Sequence, residues 1–514
     1  SSKFTTQFVM TRMIPGTALG VLFGDLIYTG MAFRLARRTG RANVTAMPLG
    51  LDTPSTIGVA LFILPPALHE GWELYGSHND AMLYAWHVGL LLLVLIGVFK
   101  VACSPLGNAV RRWVPRAGLL GSLAAIALVL IAFLPLSLHI ANVPVVGFLA
   151  LTIILVTLVA HRALPGRIPG ALAAVLIGVG GYYACLHLGE LTGWAIVPPL
   201  QTPGEATAWQ PPVLIPDLQR GLHWWQQVWL GALARLPIAL PFAVATIVGG
   251  IDCTESAAAA GDEYDTRTIL LTEGVASVAA GCLGGVIQTT PYIGHPAYKA
   301  MGGRAAYTLA TALFIGAAGY FGWFTHVFER LPEAAMFPIL VFVGLEITAQ
   351  SFRATPVRHY AALAFATLPA LAKLITIPLD QVVGGQPVNP EAAVALQPIR
   401  ELANGFIVTS LLWGAALAAL LDGRLVRSAG WFVTAAACAL VGIIHSPFAP
   451  ERIELPHQAM EHLPEVARFQ SPYHWAAAYG LTAVVLVGLS FFRDAEREEK
   501  KTPPENTQRE PGRD

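Results

Sequence analysis

Two carboxylates close a long apolar segment of this chain. In the stretch VGGIDCTESAAAAGDEYD, residues 248–265, Asp252 and Glu255 precede the polar boundary at Gly261. Because they are three residues apart, they share one face of a helix. Ionised carboxylates are costly in lipid, so the pair should face a bundle interior or a wet cavity. Two neighbouring carboxylates should have separated pKa values, with one raised and able to hold a proton, which suits a substrate and proton site; the alternative is a solvated helix end.

We expect the two carboxylates to have different roles, one in coupling transport to protons and the other in binding the substrate. Glu255 is the candidate for substrate contact, and Asp252 the candidate for carrying the coupling proton. Asp252→Asn should then uncouple uptake from a pH gradient, whereas Glu255→Gln should weaken substrate binding by roughly 1.5–3 kcal/mol. If both variants behave like the parent protein, the pair is a solvated helix end.

Two apolar segments are interrupted at corresponding places. Residues 43–58 read NVTAMPLGLDTPSTIG, and residues 287–303 read IQTTPYIGHPAYKAMGG. Irregular backbone survives in a bilayer only where protein buries it or a wet cavity faces it. Matched interruptions in two halves of a chain indicate a transporter's binding site. We therefore predict a short strand and a half-helix in each segment, meeting near the membrane midplane; the alternative is two ordinary proline kinks.

Polar groups in these two segments are candidates for substrate contact. The free N–H groups at the start of a half-helix carry partial positive charge and point at the break. Asp52 is expected to cap its half-helix, with substrate contact as the alternative. His295 is either a proton-sensitive contact or a cap. The candidate substrate-binding residues are Asp252, Glu255, Leu51, Asp52, Thr53, Thr290, Tyr292, Gly294 and His295, and the candidate coupling residues are Asp252, Glu255 and His295.

The composition predicts that helices in a membrane position these residues. Of 514 residues, 55% are hydrophobic and only 12% are charged, whereas soluble domains have about 25% charged residues. Apolar runs near 20 residues recur along the whole chain, and each can span a bilayer as a helix. The fold class expected is an all-α polytopic membrane protein, with membrane lipid as a partner.

Several function classes are disfavoured. The formal net charge is zero, so no bulk field attracts nucleic acid. The five cysteines have spacings that suit neither a disulfide framework nor a zinc site. No nucleotide-binding loop of a primary pump and no H-E-x-x-H or G-x-S-x-G motif of a membrane hydrolase occurs. We therefore predict no enzyme, no catalytic residue, no cofactor and no metal site.

The positive charges predict the orientation of the chain. Lys and Arg concentrate on alternate connections, beginning with residues 34–42, and such connections are cytoplasmic. The C-terminus is then cytoplasmic, in what we expect to be a bacterial inner membrane. We also expect that a helix is missing before the first span. The predicted parts are a transporter over residues 1–427, two additional membrane helices over 428–493, and a disordered tail over 494–514.

The segment from residue 235 to 304 resembles the nucleobase/ascorbate–cation symporters, most closely their guanine–hypoxanthine permease branch. The residues that carry the resemblance are Asp252 with Thr254, Gly274 to Gly285, Thr289, Thr290, Tyr292, and Gly302, Gly303 and Arg304, together with TAMPLGLDTPS at residues 45–55. The resemblance implies two inverted seven-helix repeats with two broken, strand-bearing helices, a substrate between those strands and the eighth helix, coupling to protons or sodium, and a homodimer. Two C-terminal helices exceed the family's fourteen.

One departure concerns the substrate. Nucleobase carriers of the family have a Glu in the tenth-helix loop, where this chain has Gly294 followed by His295. We predict a secondary active transporter for a small polar solute, either a nucleobase or a related anion, coupled to protons or sodium. The alternatives are a sulfate/bicarbonate-type anion carrier and a passive channel of the same architecture. An anion carrier needs a positive pocket, which Asp252 and Glu255 would oppose.

Overall fold

The computed structural model describes residues 4–52, 55–56, 59–200, 211–214, 220–292, 294–323, 331–383, 389–448, 452–464, 466 and 473–499. Within these ranges, eight helices are long and apolar enough to cross a membrane, and a bent helix pair could supply a ninth span. Three shorter apolar helices accompany them. The chain is therefore an all-α polytopic membrane protein, as its composition predicted.

In the described part of the first half, the main elements are helices and one short strand. They are α1 (Ile14–Thr39), β1 (Leu49–Leu51), α2 (Leu64–Tyr75), α3 (His78–Cys103), α4 (Gly107–Trp113), α5 (Arg116–Ala125), α6 (Pro144–Ile154) and α7 (Gly170–Thr192). Wider helical turns extend α1 back to Val9, α2 back to Val59 and α6 on to Val159, and α5 continues to Ile140. Ser77 caps α3 by accepting a hydrogen bond from the Asp80 amide, which satisfies one of its free N–H groups.

The second half repeats this order after one additional long helix. Its elements are α8 (Leu222–Ala259), α9 (Thr266–Cys282), β2 (Thr289–Pro291), α10 (His295–Ala300), α11 (Tyr307–Tyr320), α12 (Glu333–Met336), α13 (Pro338–Arg353), α14 (Tyr360–Ala366), α15 (Leu368–Val383), α16 (Pro390–Ala403) and α17 (Phe406–Leu421). The helix pair α16 and α17 is bent by 65°. Asp265 caps α9 by accepting a hydrogen bond from the Thr268 amide at 2.9 Å.

The two strands pair with each other in an antiparallel direction. Leu49 lies opposite Pro291, Gly50 opposite Thr290, and Leu51 opposite Thr289. The pairing confirms that the two interrupted segments carry short strands, and that these strands meet. One further hydrogen bond joins the segments beyond the strands, because the Tyr292 amide donates to the Pro48 carbonyl at 2.8 Å.

The helices pack as two groups. The strand bundle consists of α1, α2, α3, α9 and α11 around the two strands, and the second bundle consists of α5, α13, α14, α15 and α17. Helix α8 packs on α3, α9 and β2 on one side and on α5 on the other. Small residues allow close approach in the strand bundle, because Gly97 of α3 faces Gly274 of α9.

Additional helices follow the repeat. Helix α18 (Leu425–Leu440) packs on α17, and α20 (Tyr473–Glu499) packs on α18, with the short α19 (Pro456–Glu461) between them. Helix α20 continues past Asp494, where the sequence predicted a disordered tail. Residues 500–514 of that tail lie outside the described residues.

Candidate functional site

A helix next to each strand holds it in place. The Leu49 amide of β1 donates a hydrogen bond to Asp25 Oδ1 of α1 at 2.7 Å. The Thr289 amide of β2 donates to Ser277 Oγ of α9 at 3.3 Å. Both helix side chains are buried. The strand groups not used by the β1–β2 ladder are therefore satisfied in part by these helices, as buried backbone requires.

A buried ion pair lies beside β2. Lys100 Nζ of α3 is 2.7 Å from Glu273 Oε1 of α9 and donates a second hydrogen bond to the Thr289 carbonyl at 3.1 Å. Both charged side chains are fully buried. Neither residue is among the site candidates predicted from the sequence. A signal was present, because opposite charges in two otherwise apolar spans have to be neutralised within the bundle.

Asp52 follows β1 and caps the half-helix that leads into α2. Its Oδ2 accepts a hydrogen bond from the Ser55 amide at 2.8 Å, and its carbonyl accepts one from the Thr56 amide at 2.9 Å. This geometry is the capping interaction expected from the sequence. The neighbouring candidate Thr53 lies outside the described residues.

Asp252 joins α8 to the second bundle. Its side chain is fully buried, and its Oδ2 accepts a hydrogen bond from Ser122 Oγ of α5. Its other oxygen has no hydrogen-bond partner among the described residues. The next residue, Cys253, faces β2, with its Sγ 3.5 Å from the Pro291 carbonyl oxygen. Helix α8 thus contacts the strand pair and the second bundle through adjacent side chains.

Glu255 has different partners from Asp252. Its two oxygens lie 2.7 Å from Arg111 Nε and 2.6 Å from Arg116 Nε. Arg111 also reaches Glu263, at 2.9 Å. Glu255 lies close to the end of α8, and its carboxylate is 5% exposed. The carboxylate is therefore buried, but two guanidinium groups balance its charge.

His295 belongs to a third cluster, centred on Asp262 in the α8–α9 loop. Arg41 Nη2 lies 2.5 Å from Asp262 Oδ1, and Lys299 Nζ lies 2.6 Å from Oδ2. His295 Nε2 is 3.2 Å from the same Oδ2. The Thr45 amide also donates a hydrogen bond to this oxygen, at 3.0 Å. Burial alone would raise the pKa of Asp262, but hydrogen bonds from His295, Lys299 and Thr45 lower it to about 2. The cluster ties together both interrupted segments.

A cavity of about 880 Å³ opens beside β1. Two of the predicted site residues, Leu51 and Tyr292, line it. The other described candidates (Asp52, Asp252, Glu255, Thr290, Gly294 and His295) are not among the residues of its wall. Most of the wall is apolar, with Asp25 and a few hydroxyl groups as its polar part. Its largely apolar wall distinguishes this cavity from the polar clusters around the strands.

Three of the buried polar clusters described near the strands are separate from one another. These are Lys100 with Glu273, Asp252 with Ser122, and the set around Asp262. Across the described part of the chain, no group of three or more His, Cys, Asp or Glu residues could hold a metal ion.

No protein-family model matches the sequence, and no curated protein matches it. Among solved structures, the transmembrane domain of a cyanobacterium bicarbonate transporter, BicA, is similar with a TM-score of 0.38 and 15% sequence identity. The match covers 72% of this chain and 96% of that chain. The resemblance to the guanine–hypoxanthine permease branch stays a prediction, and the chemistry of the site rests on this chain's own residues.

Proposed function

We propose that this protein is a secondary transporter that moves a small polar solute across the membrane. One observation carries the proposal: β1 and β2 come from corresponding interrupted segments of two halves and pair with each other. Interrupted helices at corresponding positions are typical of transporter binding sites. A bundle that only had to span lipid would be more stable with continuous helices, because every backbone group would then be satisfied.

The proposed solute lies between the strand pair, α8 and the second bundle. Helix α8 contacts both groups, through Cys253 toward β2 and through Asp252 toward Ser122. A site at that boundary can be exposed to either side of the membrane when the strand bundle moves against the second bundle. Substrate contact by Leu51, Asp52, Thr53, Thr290, Tyr292, Gly294 and His295 is part of this proposal.

The coupling ion in this proposal is a proton carried by Asp252. Among the described residues, the one hydrogen bond to this buried carboxylate comes from the neutral hydroxyl of Ser122. No described cationic side chain therefore forms an ion pair with it. A carboxylate in such a position can bind a proton in one conformation and release it in another. Glu255 is proposed to hold the end of α8 through Arg111 and Arg116, because both of its oxygens face guanidinium groups.

An anion carrier is the second candidate, and one contact favours it. The ion pairs of Glu255 with Arg111 and Arg116 neutralise one of the two charges that would repel an anion. The proposed solute is therefore either a nucleobase-like molecule or a small anion. The proposed coupling ion is a proton in preference to sodium. The same proposal includes three further points. The protein is a transporter and not an enzyme, it forms a homodimer, and its C-terminus is cytoplasmic.

Uptake into proteoliposomes tests this function. Purified protein is first screened by thermal shift against nucleobases, ascorbate, sulfate and dicarboxylates, because a bound ligand stabilises the fold by mass action. The solute that raises Tm is then offered with and without a pH gradient. A coupled transporter accumulates it against its gradient, whereas a passive channel only equilibrates it. Absence of uptake for every solute that binds would refute the proposal.

Variants of the two carboxylates separate their roles. Asp252→Asn should abolish accumulation driven by the pH gradient and retain solute exchange, and Ser122→Ala is the matched control that removes its partner but keeps the carboxylate. Glu255→Gln should lower Tm and leave binding by the folded protein intact. A loss of solute binding at unchanged Tm would instead assign Glu255 to the substrate.

A further inference from the structure

The segment between α18 and α19 packs against the bend of the α16–α17 pair. We call its residues 441–448 and 452–454 the brace. Asn404 lies at the bend and is buried, and its side-chain amide donates hydrogen bonds to the carbonyls of Ser446 at 2.7 Å and Phe448 at 2.9 Å. The Asn404 carbonyl accepts a third hydrogen bond, from the His445 amide at 3.0 Å. The brace is therefore anchored next to α17, a helix of the second bundle.

Helix α20 also holds the brace. The ring of the buried His445 stacks on Trp475 of α20, with ring centroids 3.9 Å apart. Its Nε2 lies 2.7 Å from the hydroxyl of Tyr479, another residue of α20. That hydroxyl accepts a hydrogen bond from Trp413 Nε1 of α17 at 2.8 Å. The brace, α17 and α20 are therefore joined by one set of aromatic and polar contacts.

The later part of the brace reaches α8. Pro241 has no amide hydrogen, so the carbonyl of Pro237, four residues earlier in α8, lacks its regular helical donor. The Ile453 amide donates a hydrogen bond to this carbonyl at 2.8 Å. Within the brace, Ser446 Oγ accepts a hydrogen bond from the Arg452 amide at 3.3 Å. The brace thus connects a backbone group that α8 cannot satisfy by its regular bonding to the second bundle.

Helix α8 is thus connected to the second bundle at two separate places. Asp252 accepts a hydrogen bond from Ser122, and the carbonyl of Pro237, fifteen residues earlier, accepts one from the brace. Fifteen residues of helix span about 22 Å. A hydrogen bond is lost when its heavy atoms separate beyond about 3.5 Å. Any displacement of α8 against the second bundle by more than about 1 Å at Pro237 therefore breaks the contact with the brace.

We propose that α18, α19 and α20, through the brace, hold α8 against the second bundle and release Pro237 when the strand bundle moves. The inference rests on the proposed function, in which this movement exposes the solute site to either side of the membrane. One backbone hydrogen bond suits a reversible contact, because its net contribution to stability is small. The helices that follow the repeat then determine how readily the transporter leaves the arrangement described.

Thiol labelling measures this release without a solute. Cys253, at the proposed site, is 4% exposed, whereas Cys282 is exposed. Purified protein is treated with N-ethylmaleimide, and mass spectrometry follows both cysteine peptides, with Cys282 as the internal standard. Ile453→Pro removes the donor to α8. We expect Cys253 to react roughly two- to tenfold faster, the range in which the loss of one hydrogen bond changes an opening equilibrium. An unchanged ratio of the two rates would overturn the proposal.

Pro241→Ala distinguishes a brace from a contact that only satisfies the free carbonyl. The alanine amide can bond to the Pro237 carbonyl within α8, but it does not reconnect the brace. In the Ile453→Pro background, Pro241→Ala should therefore restore Tm while Cys253 still reacts fast. Recovery of Tm also excludes unfolding as the cause of fast labelling. If Tm and the labelling rate both return to the parent values, the contact has only a local structural role and the proposal is wrong.

The anchor at Asn404 gives an independent test. Asn404→Asp keeps the shape of the side chain but removes both N–H donors to the brace. Asn389→Asp is the matched control, because Asn389 accepts a hydrogen bond at the start of α16 through a side-chain oxygen that Asp retains. Cys253 should react faster in Asn404→Asp and at the parent rate in Asn389→Asp, and equal rates in the two variants would contradict the proposal. These measurements involve no uptake, so their failure leaves the proposed function standing, and a failure of uptake leaves the labelling results unchanged.

Discussion

Asp262→Asn tests the cluster that joins the interrupted segments. The substitution keeps the shape of the side chain but removes its charge, and it leaves Lys299 and His295 facing a neutral amide. Removing one partner of a buried ion pair costs about 3–5 kcal/mol. Arg41 is 39% exposed and can be rehydrated, and the Asn oxygen can still accept the Thr45 amide. We therefore expect a loss of about 2–4 kcal/mol in the free energy of unfolding.

The pKa of Asp262 gives a second route to this magnitude. Its value of about 2 lies below the ordinary Asp value of 3.8, and each pH unit corresponds to about 1.4 kcal/mol, so the difference amounts to about 2–3 kcal/mol. Because the folded-state pKa is the lower one, the contribution is present above about pH 4 and is lost as the pH falls toward 2. The stability advantage of the parent protein over Asp262→Asn should shrink across that window.

The assay is thermal unfolding in detergent, with tryptophan fluorescence as the readout. Glu263→Gln is the matched control, because this neighbouring carboxylate also pairs with an arginine but is 69% exposed. Exposed pairs contribute about 0–1 kcal/mol, so the control should change Tm little. If Asp262→Asn lowers Tm no more than Glu263→Gln does, the convergence of charges on Asp262 does not stabilise the fold.

Three further outcomes can be measured. Lys100→Met alone should lower Tm through a loss of about 3–5 kcal/mol, whereas adding Glu273→Leu should recover most of it, since the unpaired buried charge is then gone; no recovery would argue against the pair. Gly405→Ala should lower Tm, because Gly405 has a φ of +70° and an added Cβ would overlap a backbone carbonyl of the segment after α18, while Gly430→Ala, which meets open space, should match the parent protein or exceed it. Deleting the chain from Asp494 onward should leave uptake unchanged in well-expressed protein, and a loss of uptake would give the tail a role.

Local signals were sufficient to predict the interruptions. Pro48 and Pro291 lie in otherwise apolar segments with Gly and Thr nearby, and this combination favours a break in a spanning helix. The meeting of the two segments followed from their matched positions in the two halves. The capping role of Asp52 was predictable as well, because a cap depends only on residues one turn away.

Partners from distant parts of the chain could not be read from spacing. Asp252 and Glu255 are three residues apart, yet Asp252 bonds to Ser122 and Glu255 to Arg111 and Arg116. Helical periodicity gives the relative direction of two side chains but not the element that each one meets. The cavity beside β1 is lined by residues of α1, β1, α2, α10 and α11 together, so no single segment carries a signal for it.

Under the proposed function, the three-residue ladder between β1 and β2 has a consequence for changing the protein's specificity. Leu49 and Pro291, Gly50 and Thr290, and Leu51 and Thr289 are opposite neighbours, and opposite residues in a sheet interact directly. A library that varies one strand alone would select mainly for repair of the mismatch it creates. Randomising the positions as three linked pairs searches the combinations that the ladder can accommodate. Each change of specificity at the strands therefore requires at least two substitutions, one in each half of the chain.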